Sequence, residues 1–257
     1  MTIKQIIGRQ IVSSLGKPTI EIAVTDQHDR TFLAQVPSGE SAGSREAAAV
    51  PFPAADESVK KVSEALVGKT VTSVTELDKL LLALDDSSRK EIIGGNVLLG
   101  VSVAVTRALA DEQKKQPWQL LREEFFAGMA NDNLPLIFSV FIEGGAHGPN
   151  NIDIQEYMVV VKCNEPLQQT VVELAKMHDQ LGEQLAKNKK VAQVPVGAEA
   201  AYCADFANNF VPLQALDALV SSQQSNNEFS LALDVAASEF FKDGTYQLEG
   251  GKKTSSE

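Results

Sequence analysis

The sequence predicts an α+β domain followed by an α/β domain, with bounds of 1–126 and 134–257. Three observations carry that reading. Alternating apolar and polar residues fill the first stretch of the chain; a helical pattern then continues to residue 126; beyond 134, strand-like and helix-like segments take turns.

In order, IKQIIGRQIV and TIEIAVT (19–25) alternate as strands, DQHDR makes a polar turn, and TFLAQV (31–36) returns as a hairpin partner, giving a three-stranded meander. PSGESAGSRE (37–46) is a small-residue loop of the kind that lets backbone approach a ligand. SVKKVSEALVG is a helix stopped by glycine. TELDKLLLALDD starts a second helix with Thr75 as N-cap and Asp78 three residues on, and GGNVLLGVSVAVTRALADEQ is a long apolar helix with small residues suited to close packing. NDNLP (131–135) reads as a linker. LIFSVFIEGG and QEYMVVVK then read as buried strands and VVELAKMHDQLGEQLAKN as an amphipathic helix. AQVPVGAEA reads as a shorter strand, NNFVPLQALDALVSS as a weaker helix and FSLALDVA as a further strand. Strands alternating with helices predict parallel pairing, in an α/β barrel or a doubly wound sheet.

Composition narrows the function classes. The chain has 257 residues, 44% of them hydrophobic and 22% charged, as in an ordinary soluble globular protein. A formal charge of -11 argues against nucleic acid or an anionic membrane as partner, because both require basic patches. The first residues, MTIKQIIGRQIV, carry no signal-peptide pattern, and no apolar run has the length of a membrane span, so a cytoplasmic protein is expected. Cys163 and Cys203 are too few for a disulfide framework and lack the spacing of a metal site.

Chemistry-bearing residues stand at predicted strand ends or in small-residue loops, where barrels collect functional groups. His147 and Glu156 lie in GGAHGPNNIDIQEYM, where Gln155 and Glu156 open a strand; locally they also read as a polar turn and a solvated glutamate. Glu199, among small neighbours in VPVGAEAA, is either an exposed loop acid or a cleft carboxyl whose desolvation suits a general acid. Asp234, between Leu233 and Val235, is a hard oxygen ligand for Mg²⁺ or an N-cap for AASEFF. Ser41, in PSGESAG, brings a hydroxyl or carbonyl to a ligand, or belongs to a Gly/Ser loop without function.

Together these stretches resemble the enolase family. GRQIVSSLGKPTIEIAV is similar to the family's opening strands around S-R-G-N-P-T, VPSGESAGSREA to its V-P-S-G-A-S-T-G loop, and IIGGNVLLGVSVAV to its G-A-N-A-I-L-G-V-S helix. FIEGGAHGPNNIDIQEYMVV is similar to its N-G-G-S-H-A-G…Q-E-F-M segment, and LALDVAASEFFKDGTYQL to its D-x-A-x-S-E-F-x-x-x-G-x-Y signature. The resemblance implies an N-terminal α+β domain, then an incomplete β/α barrel whose strand–helix order is modified at its start. It also implies Mg²⁺-dependent dehydration of 2-phosphoglycerate to phosphoenolpyruvate in glycolysis. Metal ions there stabilise the ene-diolate and a carboxylic acid protonates the departing hydroxyl. Position by position, Glu199 would be the acid, assisted by Glu156. His147 and Gln155 would line the substrate site, Asp234 would hold the catalytic Mg²⁺, and Ser41 would bind a second one. A homodimer through the N-terminal domain, or assembly with a complementary C-terminal half, is implied as well.

The sequence departs from the family at several of these motifs. Ser13, Leu15 and Lys17 replace the Asp, Arg and Asn of D-S-R-G-N-P-T, and Glu143 stands where the family has Asn before Gly-Gly. Ala198, Ala200 and Ala201 replace the Asp and both glycines of V-G-D-E-G-G. The family's further metal ligands, its lysine base and its phosphate-binding His and Arg-Ser have no counterpart before Glu257. Two expectations follow: a family enzyme inactive as this chain alone, or a non-catalytic enolase-like binding or scaffold protein.

Overall fold

The computed structural model describes residues 1–14, 16–39, 43–129, 134–197 and 199–254. The chain divides into two compact units, 1–132 and 133–257. Ser41 lies outside the described residues, as do Leu15, Ala198 and most of the linker stretch.

Unit one opens with three antiparallel strands, β1 (Ile3–Val12), β2 (Pro18–Asp26) and β3 (Thr31–Gln35), in the order β1-β2-β3. The β2–β3 turn is closed by buried Asp26. Its carboxyl accepts the backbone N–H groups of His28 (2.8 Å) and Arg30 (3.0 Å) and pairs with the Arg30 guanidinium. Four helices follow: α1 (Ala54–Leu66), α2 (Val74–Leu82), α3 (Gly95–Glu112) and α4 (Pro117–Phe125). The long apolar helix α3 lies against β2. A Cβ added at Gly100 would be 2.5 Å from Ile22 Cγ1, so glycine is what permits the close approach. Ile20, Ile22 and Val24 of β2 share one core with Val97, Val101, Ala104 and Val105 of α3.

The start of α2 corrects the expected cap. Ser73, not Thr75, is the N-cap, with its side chain accepting the Glu76 N–H at 3.1 Å, while Glu76 accepts the Thr72 N–H at 2.8 Å. Two capping registers overlap here, Ser73–Glu76 and Thr75–Asp78. The earlier one places Val74 and Leu77 in the core and so prevails.

Unit two contains a three-stranded sheet, β4 (Ile137–Glu143), β5 (Glu156–Lys162) and β6 (Glu228–Asp234), with α5 (Leu167–Lys189) and α6 (Val211–Ser221) between β5 and β6. Tyr157, Val159 and Val161 point from β5 into a core shared with Met177, Leu181 and Leu185 of α5 and Leu216 and Leu219 of α6. Among the described residues no barrel closes; the sheet is part of an incomplete one.

Several expectations fail in this unit. The sheet pairs are antiparallel, not parallel. A loop without a helix joins β4 to β5, and two helices rather than one return the chain from β5, which reverses its direction on re-entry. AQVPVGAEA is not a strand: Val196 and Tyr202 make only isolated bridges, the latter also pairing parallel to Ile142 of β4. AASEFF is not a helix, so Asp234 caps no helix. Residues beyond it form a small antiparallel meander, β7 (Phe241–Lys242), β8 (Thr245–Leu248) and β9 (Gly251–Lys253).

Candidate functional site

Strand register brings acids together. Glu143 ends β4, Glu156 begins β5 and Asp234 ends β6, and the pairings Glu143–Glu156 and Glu156–Asp234 are directly cross-strand. The antiparallel geometry therefore sets the start of β5 beside the ends of its neighbours, and three carboxyl-bearing residues share one rim of the sheet.

The loop between β4 and β5 folds back on this rim. Gly144 N–H donates to Gln155 O and Gly145 N–H to Ile152 O, each at 2.9 Å, and His147 N–H closes the turn on Gly144 O at 3.0 Å. Gly145 has φ +51°, in the left-handed region that glycine enters without penalty. His147 is thereby buried, with Nδ1 3.3 Å from Glu156 Oε1 and 3.7 Å from Glu199 Oε1. One ligand atom from each of His147, Glu156 and Glu199 falls within 4.8 Å of the others, so this trio could together hold a metal ion. The nitrogen donor makes it a better match to a transition metal than to Mg²⁺, which prefers oxygens.

Environment separates the two glutamates. The Glu156 side chain is 12% exposed and that of Glu199 is 41% exposed. Burial pushes the Glu156 carboxyl above its ordinary range, Glu199 and Asp234 add to the rise, and His147 opposes it. Gln155 is buried and its Oε1 has no hydrogen-bond partner among the described residues, leaving an acceptor beside the cluster.

Asp234 is exposed rather than buried, and its Oδ1 accepts the Ala236 N–H at 3.0 Å in a local turn. As a hard oxygen donor at an exposed strand end it fits Mg²⁺, although one carboxylate leaves most of an octahedral shell to other ligands.

Glu143, in sequence a departure from the family's Asn, also belongs here. Glu143 is 0% exposed, and its Oε1 accepts the N–H groups of Glu199 (3.0 Å) and Ala201 (2.7 Å). The signal in sequence is a charged residue closing a strand, IFSVFIE, that is apolar but for Ser139, and such a residue demands a partner. Its partners lie more than fifty residues away and have no local signature.

Similarity to known proteins places the chain in a family. Residues 3–121 match the family model described as "Enolase, N-terminal domain", and residues 131–257 match "Enolase, C-terminal TIM barrel domain". The curated "Enolase" of Bdellovibrio bacteriovorus is 32% identical over 264 residues, an alignment that covers 96% of this chain and 60% of that relative. The chain thus spans about three-fifths of the length of that relative. With both matched domains in order along nearly its whole length, the chain belongs to the enolase family.

Proposed function

We propose that this chain provides the acid side of a site that dehydrates 2-phosphoglycerate to phosphoenolpyruvate. The convergence of His147, Glu156 and Glu199 on one point carries the reading. Glu199 is the general acid for the departing hydroxyl. Glu156, whose raised carboxyl affinity for protons keeps a proton available nearer neutrality, assists it as a coupled partner. His147 and Gln155 line the substrate pocket, the Gln155 acceptor being suited to a substrate hydroxyl. Asp234 holds Mg²⁺ with Ser41 serving a second ion; when bound, the metal supplies charge stabilisation for the ene-diolate.

The resemblance assigns the base and the remaining metal ligands to the part of the relatives' length that these 257 residues do not span. The chain alone is therefore expected to be inactive and to need that complement, with self-association through unit one as the other expected assembly and a cytoplasmic setting for both. The test follows phosphoenolpyruvate formation with Mg²⁺ by this chain alone, then mixed with a polypeptide carrying the second half of a family barrel. No turnover alone and turnover on mixing supports the proposal; robust turnover alone refutes the incompleteness.

A second reading, a non-catalytic binding protein, draws on Ala200, which sits at φ +62° where the family carries glycine. Calorimetry of the chain mixed with that second half discriminates: Mg²⁺-dependent binding of a phosphoglycerate analogue supports the enzyme reading, and its absence supports the scaffold.

A further inference from the structure

The geometry points to Glu143 as a positioning residue that holds Glu199 against His147, an inference that rests on Glu199 being the acid proposed above. Glu143 is fully buried, and burying an acid is costly unless its hydrogen bonds achieve something an apolar residue cannot. Stability alone explains it poorly, since Oε2 has no hydrogen-bond partner among the described residues.

What its Oε1 does is specific. It accepts the N–H groups of Glu199 at 3.0 Å and Ala201 at 2.7 Å, the two residues that flank Ala200. Ala200 has φ +62°, a left-handed conformation that alanine resists and glycine does not. Among the described residues the turn is otherwise closed by two backbone bonds, Ala200 N–H to Gly197 O (3.2 Å) and Gly197 N–H to Ala201 O (2.9 Å). One oxygen thus grips both sides of a strained residue and sets where the Glu199 backbone emerges toward His147.

Room for this carboxyl depends on Gly197. A Cβ there would overlap Glu143 Oε2 and lie 2.6 Å from His147 O, so the glycine, the acid and the histidine loop fit together at a single point. Where the family pairs Asn with two glycines, this chain pairs a buried acid with two alanines. The acid takes over by hydrogen bonding the conformation that glycine adopts freely.

The test uses the full chain uniformly labelled with ¹⁵N, in which the rings of His28, His147 and His178 and the Ala201 amide are separate reporters. E199Q sets the benchmark displacement of the His147 ring signals. E143A is expected to reproduce that displacement and to speed amide exchange at Ala201 by roughly tenfold or more. E143Q, whose Oε1 still accepts both N–H groups, is expected to stay near wild type, while His178 remains unchanged as a check on the fold. If E143A leaves His147 at its wild-type position while E199Q moves it, the positioning role is overturned. If E199Q itself leaves His147 unmoved, the acid cluster of the proposed function is overturned instead, and the inference falls with it. Should E143A also disturb His178, E143M decides, because it fills the space without an acceptor: displaced His147 with fast Ala201 exchange supports the role, and a wild-type pattern overturns it.

Discussion

Replacing Gly182 with alanine sets two effects of opposite sign against each other. In a helix interior the change stabilises by about 1 kcal/mol, because alanine is the best helix former. Gly182, however, is buried in α5 and faces Tyr202: an added Cβ would overlap the Tyr202 hydroxyl and lie 3.0 Å from Cε1. The ring has little freedom to move away. It stacks on His178 with centroids 4.3 Å apart and planes 14° from parallel. Its backbone is also pinned to β4 by bonds to Phe141 O (3.0 Å) and from Glu143 N–H (3.1 Å). Overpacking of this kind costs about 1–3 kcal/mol, and a lost ring pair about 0.5–1.5 kcal/mol more. The steric side outweighs the helical gain, so G182A is expected to destabilise unit two by about 1–3 kcal/mol. Urea unfolding can assign the loss, since the single tryptophan, Trp118, lies in unit one and Tyr157, Tyr202 and Tyr246 all lie in unit two. The tyrosine transition should move to lower urea while the Trp118 transition stays. In a Y202A background the same substitution should become stabilising by about 1 kcal/mol. A stabilising G182A in the wild-type background, or a cost that persists in Y202A, would refute the reasoning.

Three further outcomes are expected. Glu156 binds a proton more tightly in the folded chain than in the unfolded one, so its contribution to stability falls as pH rises from the ordinary carboxyl value through the raised native one. E156Q should therefore be more stable than wild type at neutral pH and no more stable in strong acid, as read by urea midpoints across pH. Buried Asp85 accepts the N–H groups of Ser87 (3.1 Å), Ile92 (2.9 Å) and Ile93 (2.8 Å), and D85A, which orphans these donors, should cost unit one about 2–3 kcal/mol in the Trp118 transition, D85N less. Burial, with Glu143 adding, pushes the Cys203 thiol up to about 11, so iodoacetamide at mild pH should label it only after denaturation, as mass spectrometry of the Cys203 peptide would show.

What the sequence made legible was whatever is written in short-range pattern. The alternation of TIEIAVT and the 3.6-residue rhythm of GGNVLLGVSVAV survive as β2 and α3, because a buried face imposes its period on the local chain. His147 and Glu156 were legible as a pair because one glycine loop carries both, and strand geometry then sets them 3.3 Å apart. Pairing direction was not legible. It depends on how many times the chain crosses between β5 and β6, and VVELAKMHDQLGEQLAKN and NNFVPLQALDALVSS together make an even number. The strands β7 to β9 are too short to show a period of their own.

Glu143 marks the deeper limit. From the sequence it is one departure among several, and Ala200 and Ala201 are others, each weakening the fit of a family motif. In the fold they are a single arrangement: the acid accepts the N–H groups on both sides of Ala200, and Gly197 leaves the space in which it does so. Substitutions that look independent in a chain are coupled wherever hydrogen bonds join them, and the effect of one is then defined only in the presence of the other. A200G relieves the left-handed strain and should lessen the need for Glu143, so the His147 displacement and fast Ala201 exchange caused by E143A should shrink in an A200G background. The sum of single effects would hold only if the two sites acted separately, and the shared oxygen argues against that.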